Sequence, residues 1–358
     1  MAHLLVDISF HGFGHLSQTA PVVNALAAQR PDLQITVRCA ASTELLNQRL
    51  HCKFTHIQLA LDFGMKMANA VDVLLPESMQ AYRAFHADWQ EKVAREAEWM
   101  RTLQPDLLLA NVPYLSLAAA KLAGVPAVAL CSLDWADIFQ HYCGAEEGAA
   151  TIHRQMVEAY NCAGYFLQPQ PAMRMPEFFN TRQISPIARL GKSQRERIVA
   201  RLPPSAGAEK WVLIAMGGMD FRLPVENWPR LPGVRWLVPS TWNIVREDVS
   251  AFDILDLSFQ DVLASCDAVL TKPGYGTFTE AACCGVPVLY VSRHDWPEEP
   301  FLVQWLECNV ACLEVTREVL QTGAWGELLL ELWALPCYEL PVARGEKQAA
   351  DLLGKLIA

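Results

Sequence analysis

The 358-residue chain is poor in charged residues, which make up 19% of it, whereas hydrophobic residues make up 52%. This balance excludes disorder as the main state and predicts a large, well-packed interior. Because the length exceeds what one ordinary core supports, we expect two domains of roughly 150 to 180 residues each. Basic residues are in deficit, and the net charge is −10. An extended phosphate backbone needs a basic surface, so no nucleic-acid partner is expected.

Signals of a secreted or membrane protein are also missing. The eleven cysteines are odd in number and form no C-x-x-C pair, which is typical of buried thiols in a reducing cytoplasm. No histidine joins Cys308 and Cys312 at zinc-ligand spacing, and no metal site is expected. The N-terminus has no basic segment before an apolar run, and no run approaches the roughly 20 residues of a membrane span. We therefore expect a cytoplasmic protein without a transmembrane segment, although its eleven tryptophans leave peripheral membrane contact open.

Short apolar runs alternate with helical patterns from the first residues onward. His3 to Phe10 is typical of a buried strand, and Leu16 to Gln29 of an amphipathic helix after a glycine-rich turn. A long helical pattern covers Glu77 to Leu103. This alternation predicts right-handed βαβ units around a parallel sheet.

The alternation is interrupted and then resumes. Four prolines between residues 165 and 192 break helices and deny strand hydrogen bonds, so the interdomain connection is expected there. We predict an N-terminal Rossmann-like domain over residues 1–175 and a C-terminal one over residues 176–340. A last helix within residues 341–358 would pack across the domain gap. Two such domains, with parallel sheets facing a central cleft, would bind ligands at the carboxyl ends of both sheets.

The strongest motif is the segment LTKPGYGTFTE, residues 270–280. An apolar strand meets a glycine-bearing turn, and a helix then opens at Thr277 or Phe278. The first-turn N–H groups and the helix dipole suit a diphosphate, to which Thr277 and Thr279 can add hydroxyls. Glu280 could accept hydrogen bonds from ribose. The alternative is an ordinary turn with a threonine cap, and the motif alone leaves both interpretations open.

Two histidines share a glycine-rich loop, HGFGH, directly after the first predicted strand. The loop lacks the third glycine of a dinucleotide fingerprint and the Lys-Ser/Thr ending of a P-loop. A histidine titrates near neutral pH and could remove a proton from an acceptor hydroxyl. The alternative is a histidine that caps a helix or fills a turn.

Weaker signals lie in the C-terminal half. Met216-Gly217-Gly218 ends a predicted strand, which is common in any fold. The pair Glu298-Glu299 could hold sugar hydroxyls or could be ordinary first-turn helix acids. No G-x-S-x-G elbow, Walker sequence or H-E-x-x-H pair occurs, so those hydrolase and NTPase mechanisms have no support.

Taken in order, HGFGH from residue 11, MGG from 216, KPGYGTFTEA from 272 and PEEPF from 297 resemble the GT-B glycosyltransferases. The layout is similar to that of lipid-linked N-acetylglucosaminyltransferases. It is more similar to the glycosyltransferase-like N-terminal domain of plant L-arabinokinases, here as a stand-alone chain. Further matching elements are Asp62-x-Gly64 and Val71-Asp72. The resemblance spans essentially the whole sequence.

The resemblance implies a role for each matching residue. His15 would lie at the catalytic centre, with His11 shaping its loop. Ser258 and Phe259 would lie near the base, and Glu280 would hold the ribose. The remaining nucleotide-sugar residues would surround the diphosphate or the donor sugar: Gly217, Gly218, Lys272, Gly274, Tyr275, Gly276, Thr277, Glu298 and Glu299. The acceptor side would include Gly14, Asp62 and Asp134. One position departs from the related sequences, which often carry Arg where this chain has Gln18.

The function expected from these features is transfer of a sugar from a nucleoside diphosphate sugar, with UDP favoured, to an unknown acceptor. No cofactor is expected beyond the donor itself. No D-x-D motif is present, since Asp253 and Asp256 have the wrong spacing, so a metal-independent mechanism is expected. Two alternatives stay open: an epimerase or hydrolase of the same fold, and a non-catalytic nucleotide-sugar-binding protein.

Overall fold

The computed structural model of the protein describes residues 2–11, 13–68, 72–202, 210–217, 222–293 and 295–357. The chain divides into two compact units. The first comprises Met1–Ile187, Trp296–Glu298 and Arg344–Ala358, and the second comprises Ala188–Asp295 and Glu299–Ala343. Each unit contains one parallel sheet with helices between its strands. The predicted α/β fold class with two Rossmann-like domains is therefore confirmed.

The first unit is built on seven strands. They are His3–Ile8 (β1), Gln34–Cys39 (β2), Thr55–Gln58 (β3), Leu107–Asn111 (β4), Ala127–Leu130 (β5), Tyr165–Pro169 (β6) and Thr181–Ile184 (β7). All pair in parallel, in the order β3-β2-β1-β4-β5-β6-β7. The central strands are buried along their whole length. Their sequences are continuous apolar runs because helices of a doubly wound fold cover both faces.

The helices of the first unit follow its strands and return to the sheet. They are Phe13–Gln29 (α1), Thr43–Arg49 (α2), Leu75–His86 (α3), Trp89–Leu103 (α4), Tyr114–Ala123 (α5), Trp135–Cys143 (α6) and Ala149–Tyr160 (α7). The C-terminal helix, Gly345–Leu356, also belongs to this unit. It packs against α1, and its Gln348 side chain accepts a hydrogen bond from the Ser185 backbone at 2.7 Å.

The second unit repeats the architecture with six strands. They are Lys210–Ala215 (β8), Val234–Val238 (β9), Val249–Ala251 (β10), Ala268–Thr271 (β11), Val288–Tyr290 (β12) and Cys312–Glu314 (β13), paired in parallel in the order β10-β9-β8-β11-β12-β13. Its helices are Arg195–Val199 (α8), Phe259–Leu263 (α9), Tyr275–Cys284 (α10), Glu299–Asn309 (α11), Arg317–Thr322 (α12) and Gly326–Ala334 (α13). The C-terminal helix of the first unit, Gly345–Leu356, is α14. Short 3-10 turns lie at Val225–Asn227, Ser240–Trp242 and Asp253–Leu255. Three tryptophans, Trp228, Trp236 and Trp325, meet in its core with ring centroids 4.8 to 5.4 Å apart.

Both sheets reverse their strand order at one point. In the first unit β1 lies between β2 and β4, and in the second β8 lies between β9 and β11. The loops that leave neighbouring strands at such a switch point diverge to opposite faces, and open α/β sheets bind ligands in the resulting crevice. The loops after β1, β4, β8 and β11 are therefore the places where a site is expected.

The structure differs from the sequence predictions in three places. The helix predicted over Glu77 to Leu103 is two helices, because Asp88 leaves the helical region (φ −114°, ψ 43°) and lets the rings of His86 and Trp89 stack at 4.9 Å. The proline-rich stretch contains strands β6 and β7, which extend the first unit to Ile187, beyond residue 175. Helix α10 begins at Tyr275, two residues before Thr277, the earlier of the two predicted starts.

No helix in the described part of the chain is both long and apolar enough to span a bilayer.

A buried ion pair joins the two central strands of the first unit. Arg38 on β2 donates to both carboxylate oxygens of Asp7 on β1, at 2.7 and 2.5 Å, and both side chains are almost completely buried. The guanidinium also pairs with Glu96 at 2.5 Å and lies 4.0 Å above the ring of Trp99. Buried charges are tolerated when they are paired in this way, and removal of one partner leaves the other uncompensated.

We expect Arg38→Met to lower the free energy of unfolding by about 3–5 kcal/mol, because Asp7 would remain buried without a counter-charge. Urea unfolding followed by circular dichroism measures this loss. The matched control is Arg154→Met, which breaks an exposed pair with Glu158 and should change the free energy by less than about 1 kcal/mol. Equal unfolding midpoints for Arg38→Met and the wild type would contradict the assignment.

Candidate functional site

A histidine lies at the switch point of the first unit. His15 is the third residue of α1, and its ring is buried beside Asn111, the last residue of β4. His15 Nδ1 lies 2.9 Å from Asn111 Oδ1, while Asn111 Nδ2 donates to the carbonyl oxygen of His15 at 3.4 Å. These two contacts orient the amide, so Oδ1 accepts from Nδ1–H and the lone pair resides on Nε2. The ring is thus arranged to accept a hydrogen bond.

The electrostatics of this pair favour a neutral imidazole. Burial lowers the pKa of His15 to about 4, against a smaller opposing effect of the hydrogen bond to Asn111. An amide fixes the tautomer but stabilises an imidazolium much less than a carboxylate would. His15 is therefore a neutral acceptor at pH 7.

Asp62 forms the second part of this half-site. Its carboxylate accepts from Ser9 Oγ at 2.8 Å and from Trp135 Nε1 at 2.9 Å. Burial is the largest cause that raises the pKa of Asp62, to about 6, although the two hydrogen bonds lower it. The Trp135 ring centroid lies 5.4 Å from that of His11 and 5.6 Å from that of His15. One indole thus connects both predicted histidines to the carboxylate.

Gly64 lets the backbone lie close to the rings of Trp135 and His11. Its φ is +58°, and a Cβ there would lie 2.7 Å from the Trp135 ring and 3.1 Å from the His11 ring. The left-handed conformation and the contact both require glycine. His11 also stacks on Trp296, with centroids 6.2 Å apart and planes 7° apart. Gly14 is exposed at the start of α1, where its carbonyl oxygen accepts from Ser17 Oγ at 2.7 Å.

Gln18, at the position where related sequences often carry Arg, has a structural partner. Its Nε2 donates to Ser132 Oγ at 2.8 Å, and its Oε1 accepts from the Ser132 backbone at 3.2 Å. Ser132 Oγ in turn donates to Glu298 Oε1 at 2.6 Å. Glu298 belongs to the first unit and also accepts from Trp296 Nε1 at 3.4 Å. Gln18 thus orients the hydroxyl that holds Glu298.

The second carboxylate of the PEEPF motif has different partners. Glu299 begins α11 in the second unit, and its carboxylate accepts from the Ser292 hydroxyl and, at 2.9 and 3.0 Å, from the Arg293 backbone. It holds the loop after β12. The structure therefore assigns the two adjacent glutamates to different units.

In the second unit a lysine and a glycine meet at the switch point. Gly217 follows β8 with φ +83°, and a Cβ there would lie 3.1 Å from Lys272 Cε and 3.8 Å from its Nζ. Lys272 follows β11, the neighbour of β8 in the sheet. The two loops therefore place an ammonium against exposed backbone. Gly218, Gly12, Val71 and His294 lie outside the described residues.

Helix α10 begins beside this lysine. Gly274 is its N-cap without a side-chain cap, and Phe278 N–H donates to the Gly274 carbonyl at 3.1 Å. This is the first hydrogen bond of the helix. The preceding N–H groups of the first turn have no carbonyl partner within the helix, and they belong to Tyr275, Gly276 and Thr277. Such first-turn N–H groups and the helix dipole favour an anion, and Lys272 precedes them in the chain.

Two further polar side chains of the segment 270–280, those of Thr279 and Glu280, form hydrogen bonds within the second unit. Thr279 is buried, and its hydroxyl donates to the carbonyls of Tyr275 and Gly276 at 2.9 and 3.1 Å, so it holds the helix. Glu280 Oε1 accepts from Gln260 Nε2 at 2.9 Å. Gln260 follows Phe259 at the start of α9, and the ring of Phe259 lies 6.3 Å from that of Phe252. Glu280 thus contacts the short helix that begins with Phe259.

Asp134, expected on the acceptor side, is the N-cap of α6. It is fully buried, and its Oδ1 accepts from the Asp137 backbone at 2.8 Å. Sequence reasoning missed Ser132, whose hydrogen bonds link segments more than a hundred residues apart. The available signal was a polar residue just after the end of an apolar strand.

Comparison with solved structures identifies the fold. No protein-family model matches the chain. The glycotransferase of kitacinnamycin superposes with a TM-score of 0.63 at 17% identity, covering 99% of both chains. The spinosyn rhamnosyltransferase SpnG complexed with thymidine diphosphate gives 0.55 at 14%, covering 100% of this chain and 96% of that chain. The S. aureus MnaA–UDP co-structure gives 0.55 at 11%, covering 99% and 96%. The chain has the GT-B fold.

Curated proteins give a more specific similarity. The chain is similar to L-arabinokinase from Arabidopsis thaliana, with 27% identity over 350 residues that cover 95% of this chain and 33% of that protein. It is also similar to lipid-A-disaccharide synthase from Granulibacter bethesdensis, with 30% identity over 112 residues, 30% of this chain and 28% of the relative. The chain spans at most about a third of the length of these relatives. The resemblance inferred from the motifs is confirmed.

We expect the His15 ring to stay neutral between pH 5.5 and 8, because its pKa of about 4 lies below this range. Since the pKa of His15 in the folded protein lies below the ordinary value of 6.5, its contribution to the free energy of unfolding should rise as pH increases from about 4 to 6.5. Long-range ¹H–¹⁵N NMR of the imidazole measures the tautomer and the titration.

The matched variant is Asn111→Asp, which replaces the amide by a carboxylate and should raise the pKa of His15 by at least one unit. A wild-type ring that titrates near 6.5, or one protonated on Nε2 at pH 7, would contradict the assigned hydrogen bond.

Proposed function

We propose that the chain is an enzyme, a glycosyltransferase that moves a sugar from a nucleoside diphosphate sugar to an acceptor hydroxyl. The observation that carries this proposal is the chemistry at the two switch points. One offers a neutral imidazole acceptor beside a buried carboxylate. The other offers a lysine and first-turn amides for an anion. The GT-B fold and the sugar-transferring neighbours support the same reaction class.

The second unit would bind the donor. The diphosphate would lie on the first turn of α10, with Lys272 and the Gly217–Gly218 turn around it. Glu280 would accept from the ribose hydroxyls, and Phe259 would lie against the base. The nucleotides named with the neighbours are UDP and thymidine diphosphate, which supports a pyrimidine nucleotide. The preference for UDP over dTDP stays a prediction from the sequence. Glu298 and Glu299 would address the donor sugar.

The first unit would bind the acceptor through Gly14, Asp62 and Asp134, with His11 shaping the loop. The acceptor oxygen attacks the anomeric carbon while the bond from that carbon to the diphosphate oxygen breaks. The hydroxyl proton moves to Nε2 of His15, and the electron pair leaves with the diphosphate. Fixed N–H groups and Lys272 stabilise that charge, so the proposed reaction needs no metal or cofactor.

A second candidate function is binding of the nucleotide-sugar without transfer. Asn111 favours it, since an amide beside His15 stabilises an imidazolium less than a carboxylate would. An epimerase or hydrolase of the same fold is the remaining alternative, and release of free sugar without any acceptor would identify a hydrolase.

We expect Lys272→Ala to weaken UDP binding by about 10- to 100-fold, as for the loss of a charge-assisted hydrogen bond. Isothermal titration calorimetry with UDP, dTDP, GDP and ADP measures affinity and base preference. Arg230→Ala is the control, because it removes one exposed positive charge of the same unit.

The His15→Ala variant separates the two units' roles. It should keep the wild-type UDP affinity and lose transfer, measured as acceptor-dependent release of UDP. If no nucleotide binds the wild type, or if Lys272→Ala and Arg230→Ala bind equally, the donor site is wrong. Unchanged transfer by His15→Ala would exclude its role as base.

A further inference from the structure

A second group of ligand-type side chains lies in the first unit. Asp137 comes from the first turn of α6, His153 from α7, and Glu177 from the loop between β6 and β7. One carboxylate or imidazole atom from each lies within 4.8 Å of the others. His153 Nε2 is 3.3 Å from Glu177 Oε2. Three separate elements thus converge on one small volume.

Two buried atoms, one in this group and one in a neighbouring residue, have no hydrogen-bond partner in the described structure. One is Nε2 of His153, whose 3.3 Å approach to Glu177 Oε2 lacks hydrogen-bond geometry, and the other is Oδ2 of Asp134. Asp134 is fully buried, and burial raises the pKa of its carboxyl group well above the usual value. The negative charges of Asp137 and Glu177 raise that pKa further. Buried polar atoms are rarely left without a partner. Two such atoms beside the same carboxylates indicate that a ligand belongs between them.

The charge of the group indicates the sign of that ligand. Two carboxylates, those of Asp137 and Glu177, lie around one imidazole, and no described lysine or arginine forms an ion pair with Asp134, Asp137 or Glu177. Uncompensated carboxylates repel one another at these distances, and the positive end of α6 offsets only part of this repulsion. A bound cation would satisfy the carboxylates and His153 Nε2 together.

We propose that Asp137, His153 and Glu177 bind a divalent transition-metal cation, with Asp134 hydrogen-bonded to the backbone of Asp137. One imidazole nitrogen and several carboxylate oxygens match Zn²⁺, and Mn²⁺ accepts the same donors. Ligand bonds of about 2.0–2.2 Å bring ligand atoms closer together than the present spacing. Glu177 is half exposed and lies in a loop. Its side chain can therefore move towards the other two ligands, and the cation can reach the site from solvent on this side.

The cation would act through the start of α6. That helix begins with Trp135, whose indole donates to Asp62 and packs against both histidines. The Trp135 backbone also donates to Tyr160 Oη, at the end of α7, at 3.1 Å. A metal that ties α6 to α7 would therefore stabilise the support of the proposed acceptor site without entering the transfer step. The ligands are far apart in sequence and form no local motif, which is why the sequence predicts no metal here.

The test uses the whole chain after removal of metal by EDTA and gel filtration. Mn²⁺ binding is measured by electron paramagnetic resonance, because eleven free cysteines would compete for zinc. We expect one saturable Mn²⁺ site and a higher melting temperature with Mn²⁺ or Zn²⁺. His153→Gln should weaken Mn²⁺ affinity at least tenfold, whereas Glu158→Gln, an exposed change on the same helix, should not.

Circular dichroism of the metal-free variants verifies that each is folded. If His153→Gln is not folded, Asp137→Asn is the second ligand variant. UDP affinity is a separate readout and should be the same with and without Mn²⁺. The proposal is overturned if the wild type has no saturable site, or if the ligand variants bind Mn²⁺ as tightly as Glu158→Gln does.

Discussion

The candidate site depends on parallel strand pairing around two switch points. In a parallel sheet every carboxyl end lies at the same edge, and reversal of strand order sends adjacent loops apart. Here β1 and β4 bring His15 to Asn111 across 96 residues of sequence. By the same rule β8 and β11 bring Gly217 to Lys272. Each half-site is thus a consequence of strand register before any side chain contributes.

The two half-sites have opposite chemical character. The first is built from a buried neutral histidine and a buried acid, held by an indole and a serine hydroxyl. The second is the proposed anion site, with first-turn backbone N–H groups and the ammonium of Lys272. Sugar transfer requires this division, because one partner gives up a proton while the other accepts growing negative charge. The acidic net charge of the chain is compatible with it, since a local helix terminus binds phosphate without a basic surface.

The sequence predicts the parts of this account that depend on local pattern. Alternating apolar runs predict two parallel sheets, and glycine before a helix predicts the anion site at α10. Contacts between distant segments leave no local signal: Asn111 fixes the His15 tautomer, and Gln18 holds Ser132, across 96 and 114 residues. Strands β6 and β7 were hidden by prolines, since proline is tolerated at strand ends and edges although it disfavours central pairing. The pair Glu298-Glu299 divides between units because each side chain finds different donors.

The central claim is that the first turn of α10 and Lys272 hold the diphosphate of a nucleoside diphosphate sugar. A crystal structure of the protein with UDP or dTDP tests it most directly. The account predicts phosphate oxygens within hydrogen-bond distance of the N–H groups of Gly276 and Thr277 and of Lys272 Nζ. A nucleotide bound elsewhere, or a diphosphate that leaves the start of α10 in contact only with solvent, would contradict it.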